Sequence, residues 1–287
     1  MNHSTNRFLA VALWAGVAGG LAGGLNAAAQ ELPDHELRPL VTRYAKTATK
    51  ASVTAEFKAF QDVQMQEADQ FDGYSTSVDV AIPFAQRFQV RLYAPIYTSG
   101  DARALKESGR NIDIWGFSGI GDFANAQLDY QLLRQPADGV NLSISGGAGM
   151  PLTYLNTSLV DRYNHVGRVV IGGLKLDKKL NDTVTLLANA GARYYWVSDD
   201  VNPSGGDDTF ALADLSAAGV FNVFNDTVYP VVELIYEGDF GNYNSLLLAP
   251  EVIWPLCENF ELKAGVTIGL TGDGESLGAR FQAVVRF

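Results

Sequence analysis

Four side chains in this 287-residue sequence would draw attention for nucleophilic or metal chemistry, and they lie far apart: His3, His35, His165 and Cys257. A cysteine-based zinc site needs several thiolates or a histidine set close by, and one cysteine cannot close an internal disulfide. No cofactor or metal is expected on those residues. A crowded acidic stretch, Asp199, Asp200, Asp207 and Asp208, offers oxygen ligands for a divalent cation, although Asn202-Pro203 and Gly205-Gly206 also suit a solvated turn. The formal net charge is −11, and no basic run compensates for it. Nucleic acid is therefore excluded as a partner, since counterion release from phosphates needs clustered Lys and Arg.

More informative are charged residues that recur at every second position between apolar ones: Glu56, Lys58, Asp79, Arg91, Asp129, Arg168, Arg193, Asp214, Glu233, Glu237, Glu251, Glu261, Lys263, Arg280 and Arg286. A period of two belongs to a strand, which sends alternate side chains to opposite faces. In the last segment Leu277, Ala279, Phe281, Ala283, Val285 and Phe287 alternate with Gly278, Arg280, Gln282 and Arg286, interrupted only by Val284. The same pattern runs through Phe260–Leu270, Val184–Trp196, Ala124–Leu132 and Val140–Ser145. Twelve such segments are expected, near 51–60, 72–82, 87–98, 121–133, 139–151, 166–176, 183–197, 209–222, 227–237, 245–254, 260–271 and 277–287.

The connections sort into two kinds. Tight links follow every second strand, at Pro83–Gln86, Arg134–Asp138, Asp177–Asp182, Val223–Asp226 and Pro255–Asn259; the longer, more polar ones include 99–116, 152–165 and 198–208. Short turns at one end and long loops at the other are the pattern of a bacterial outer-membrane barrel. Beyond residue 30 no uncharged apolar run approaches the ~20 residues of a spanning helix. The expected fold is therefore all-β, a transmembrane antiparallel β-barrel of about twelve strands over residues 50–287. In lipid such a sheet must close, because an open edge leaves backbone groups without partners.

Aromatic girdles are expected at both interfaces: Phe84, Phe88, Tyr229, Trp254, Phe260 and Phe287 on the periplasmic side, and Tyr74, Tyr97, Trp115, Trp196 and Tyr236 on the outer side. Ahead of the barrel, Arg7, the apolar stretch Phe8–Leu25 and Ala27-Ala28-Ala29 read as a signal peptide over residues 1–29. Residues 30–49 are expected to form a periplasmic leader or a plug, with Leu37, Leu40, Val41 and Tyr44 at roughly helical spacing.

The inward register holds eight acids against seven bases. In sum that is nearly neutral, which suits a narrow interior crossed by ion pairs and does not suit a strongly ion-selective pore. Arg91, Arg193, Glu233, Glu251, Lys263 and Arg280 are the candidate lumen-lining residues, either forming a path for a small solute or filling the barrel. Twelve strands fall between filled eight-stranded barrels and open porins of sixteen or more.

The Gly119-Ile120-Gly121-Asp122 sequence that leads into the strand from Phe123 resembles the strand entry of the outer-membrane family associated with the meta-pathway of phenol degradation. That resemblance, which extends loosely over residues 50–287, implies passive uptake of small hydrophobic or aromatic compounds and carries over no catalytic residue. A final strand ending on Phe287 resembles the signal read by the barrel-assembly machinery. The expected location is the bacterial outer membrane, with lipid and lipopolysaccharide outside the barrel and a small-molecule solute within. Two rival readings are a structural or adhesive barrel acting through its acidic loop, and an outer-membrane phospholipase. The second needs a histidine base beside its serine, and Tyr163-Asn164-His165-Val166-Gly167 lacks the His-Ser-Asn pattern such an enzyme would show. No enzymatic activity is expected.

Overall fold

Each two-faced segment becomes a strand, because only the extended backbone collects its apolar residues on one side. The computed structural model describes residues 37–65, 68–102, 124–150, 168–196 and 209–287. The strands are β1 (Ser52–Met65), β2 (Ala68–Phe84), β3 (Phe88–Ala102), β4 (Ala124–Leu133), β5 (Asn141–Met150) and β6 (Arg168–Lys179). They continue with β7 (Val184–Trp196), β8 (Thr209–Phe221), β9 (Tyr229–Gly238), β10 (Asn244–Cys257), β11 (Phe260–Gly269) and β12 (Leu277–Arg286). Sequential strands pair antiparallel, and β1 pairs with β12 from Ser52↔Arg286 to Gln61↔Leu277. The sheet is thus a closed twelve-stranded barrel without an edge. Among the described residues no helix is long and apolar enough to cross a membrane.

The outer face is apolar: Phe57, Leu92, Ile144, Leu174, Val266 and Phe281 are all exposed. The opposite register is buried and polar, with Thr54, Asp79, Lys175, Glu233, Glu261 and Arg286. An apolar outside and a polar inside invert the arrangement of a water-soluble protein and match a lipid-embedded barrel. Aromatic rings collect at the tight-link end, where Phe88 lies 5.4 Å from Phe84 and 4.7 Å from Tyr130, with Trp254 and Phe287 exposed nearby in the same band. At the other end Tyr74 and Trp196 are exposed.

The structure departs from the sequence expectations at several points. Tyr229 is not an interface residue: it faces inward and is buried with Leu187, Val231 and Ile253. Tyr236 is covered by Phe240, whose ring lies 5.0 Å away. Arg168 falls on the outward register, exposed and opposite Trp196, because the inward positions of β6 begin at buried Val169. Asp177, expected in a tight link, lies within β6 and is fully buried. The link at residues 134–139 contains a helical turn, Gln135–Asp138, closed by Gly139 at φ 78. That left-handed conformation favours glycine. The signal-peptide segment, His3, His35, Trp115, Gly119-Ile120-Gly121-Asp122, His165 and the Asp199–Asp208 cluster lie outside the described residues.

Candidate functional site

Residues 37–50 occupy the barrel interior as an irregular segment, neither helix nor strand and bent at 40–41, 45–46 and 49–50, despite the near-helical spacing of their apolar residues. Such a segment has neither helix nor ladder bonds of its own, so its buried N–H groups need other acceptors. The wall supplies them one after another. Glu251 of β10 accepts the Leu40 N–H at 3.0 Å, and Glu233 of β9 accepts those of Val41 at 3.1 Å and Thr42 at 2.7 Å. Asn189 of β7 accepts from Arg43 at 2.7 Å and donates to its carbonyl at 2.8 Å. Asp177 of β6 accepts from Ala45 at 2.6 Å and Lys46 at 3.0 Å. Gln131 of β4 and Gln89 of β3 accept from Thr47 and Ala48 at 3.1 and 3.2 Å. The segment therefore sweeps around the inner wall from β10 to β3.

Apolar contacts fix its start. Leu37 and Tyr44 pack on an inward cluster of Leu187, Ala218, Val220, Tyr229, Val231 and Ile253. Leu40 rests over Gly265, where a Cβ would stand 2.7 Å from its Cδ1. That position on β11 requires glycine because the inner segment approaches the wall so closely there.

Ion pairs cover much of the remaining wall. Asp79 accepts from Arg91 and lies 3.7 Å from Arg43, while Lys175 donates to Asp129 at 2.6 Å. Arg193 holds Asp214, at 2.6 Å through Nε, and Glu237. Arg286 donates to Glu261 at 2.6 Å, with Lys263 3.3 Å from the same carboxylate. At the long-loop end Glu275, in the β11–β12 connection, pairs with Lys58 at 2.5 Å. Burial pushes the Glu275 carboxyl up, but Lys58 and Arg280 outweigh it and hold the group below the usual carboxylate range.

Above the inner segment remains a cavity of about 340 Å³, lined by Tyr93, Gln127, Ile171, Arg193, Asp214, Glu237 and Arg280 among others. A smaller cavity of about 40 Å³ lies toward the tight-link end, bordered by Arg38, Lys46, Gln89, Lys179 and Tyr229. Three of the sequence-derived candidates, Arg91, Arg193 and Arg280, line the upper chamber. Glu233 and Glu251 bind the inner segment instead, and Lys263 is buried beside Glu261. Asp177, Gln89 and Arg43 were not among those candidates. Asp177 sat in an expected link, Gln89 carries no charge, and Arg43 precedes every strand.

Several solved structures align with the chain. An outer membrane channel from Pseudomonas putida F1 aligns with a TM-score of 0.52 at 12% identity, over 90% of this chain and 100% of that one. The likeness is one of fold, a closed antiparallel β-barrel. The NanC porin aligns at a TM-score of 0.49 and 9% identity, over 83% of this chain and 98% of that one. The Ralstonia pickettii toluene transporter TbuX aligns at 0.40 and 10%, over 85% and 91%. No protein-family model matches the chain, and no curated protein matches it in sequence. The fold, with its apolar outer wall, points to a bacterial outer membrane.

Proposed function

We propose that this protein is a passive outer-membrane channel for small solutes, with residues 37–50 as a resident plug that narrows the passage. The observation that carries this reading is the chamber of about 340 Å³ left inside a barrel that its side chains do not fill. That volume is at the lower end of what holds a small organic ligand. Arg91, Arg193 and Arg280 line the path; Glu233, Glu251 and Asp177 fasten the plug.

Small hydrophobic or aromatic compounds are the proposed cargo. Tyr93 and Ile171 line the chamber. Ile171 also packs on an inward cluster of Val169, Tyr195, Phe210, Leu212 and Tyr243. The resemblance carried by Gly119–Asp122 implies the same class. The protein acts without enzymatic turnover, is exported by residues 1–29, and presents β12 to the assembly machinery.

Swelling of proteoliposomes in sugars, amino acids and aromatic acids tests the reading, together with conductance in a planar bilayer. Entry of solutes of single-ring size, with exclusion of larger ones, is the expected result. A folded barrel that passes no solute and conducts no ions overturns it and leaves a structural role.

A further inference from the structure

The upper and lower cavities share two lining residues, Arg43 of the inner segment and Arg91 of β3. These two side chains therefore stand where the two cavities adjoin. Asp79 serves both, accepting from Arg91 and lying 3.7 Å from Arg43, while Asp129 also acts on Arg91 and Glu56 on Arg43. With Lys175 paired to Asp129 at 2.6 Å and Arg38 close to Arg43, the four bases Arg38, Arg43, Arg91 and Lys175 face the three acids Asp79, Asp129 and Glu56, which leaves a positive surplus. Arg43 Nη1 and Arg91 Nε are moreover buried donors without a hydrogen-bond partner. Buried N–H groups of this kind are costly unless an acceptor reaches them.

The surroundings have the same sign. Among the described residues Arg38, Lys46, Lys175 and Lys179 border the lower cavity with one acid, Asp182; Lys179 pairs with Asp182 at 2.7 Å and Lys175 with Asp129 at 2.6 Å, which leaves Arg38 and Lys46 as the added positive charge. The inner segment 37–50 brings Arg38, Arg43, Lys46 and Lys50 and no acid at all. On the opposite arc Glu233 and Glu251 direct their oxygens to the segment's N–H groups. A wall that is nearly neutral in sum is thus divided, with its positive part where the two cavities meet. Local field, and not total charge, governs which ion passes a constriction.

We propose that the Arg43–Arg91 throat makes the channel anion-selective and is a station for the carboxylate group of small monoanionic organic acids. This rests on the channel reading above. A guanidinium fork matches the two oxygens of a carboxylate, and two forks facing one passage supply the acceptors' missing partners without a full hydration shell. A neutral solute of equal size leaves the surplus charge unanswered. Chloride matches the charge but not the fork.

The experiment uses the full-length protein in planar bilayers under a potassium chloride gradient, and in liposomes challenged with potassium benzoate or arabinose. Anions are expected to outpace potassium, benzoate to enter faster than arabinose, and benzoate to reduce the chloride current. Arg43→Gln and Arg91→Gln should each lower the anion-to-cation permeability ratio about fivefold, the factor given by ~1 kcal/mol of lost attraction. Arg43→Lys should keep the anion preference and lose the reduction of current by benzoate. Arg43 lies outside the strands, so its variants leave the barrel ladder intact, and heat-dependent gel mobility verifies folding. A conducting wild-type barrel without anion preference, or Gln variants with unchanged ratios, overturns this proposal while leaving the channel reading in place. A barrel that conducts nothing overturns both.

Discussion

Glu233 shows how much one inward carboxylate does in this barrel. Its two oxygens take the N–H groups of Val41 and Thr42, three contacts between 2.7 and 3.3 Å. Glu233→Gln removes the charge and replaces one acceptor by a donor that faces those N–H groups. Docking of the segment is expected to weaken by about 1–3 kcal/mol, the scale of a lost charge-assisted bond. Faster amide exchange at Val41 and Thr42, with unchanged barrel ladders, is the measurable sign; unchanged exchange would contradict it. At this scale the sequence was partly legible. Alternation put Arg91, Arg193 and Glu233 on the inward register because their neighbours on both sides are apolar. It could not distinguish a residue that faces an open chamber from one that grips another segment, since both are polar and both point inward. Arg43 was invisible for a simpler reason: it is not in a strand, so no period assigns it a face.

Among the elements, β11 and the connection that follows it carry two predictions. Gly265 leaves the hollow that receives Leu40, and any Cβ there meets Leu40 and the Glu251 side chain at 2.7 Å. Gly265→Val should displace the start of the inner segment and raise single-channel conductance, whereas the same change at outward-facing Gly172, where a Cβ meets nothing within 4 Å, should not. Glu275 supplies the pH dependence. Its carboxyl is held below the ordinary range by Lys58 and Arg280 against the effect of burial. A depressed carboxylate contributes stability that is present above its unfolded pKa of about 4.3 and lost as pH falls through the folded value. Protection of the β11–β12 connection should therefore decline below about pH 4, and Glu275→Gln should abolish that decline, as read by amide exchange across the acid range. Strand positions were legible from period-two patterning, but ends were not. β2 runs to Phe84 and β6 to Lys179, into expected links, because a lone Pro83 or a polar pair such as Asp177-Lys178 looks like a turn when the pairing partner is unknown. Pro83 instead sits near the strand end, where a missing N–H matters least.

For the molecule as a whole, closure and plugging are separable. The barrel ladder runs unbroken from β1 to β12, and the inner segment is attached by side-chain bonds and apolar packing, not by strand pairing. Deleting residues 37–50 should therefore leave a folded, heat-modifiable barrel whose conductance is several times higher and whose anion preference is reduced. Loss of folding would show that the segment is instead part of the structural core. The even strand number, the asymmetry of the connections and the lipid-facing register followed from the sequence because membrane physics allows few alternatives. The path of the inner segment did not, since it depends on seven wall residues from seven strands, Gln282 of β12 included, meeting one short stretch of backbone.

That mode of attachment leaves the stretch unusual freedom to change. The walls hold main-chain amides, which every amino acid except proline possesses, and so place few demands on what projects from positions such as 43 or 46. Swapping those projections would retune what the barrel admits while the thread stays moored, so preference for cargo can drift by point substitution without rebuilding a single strand.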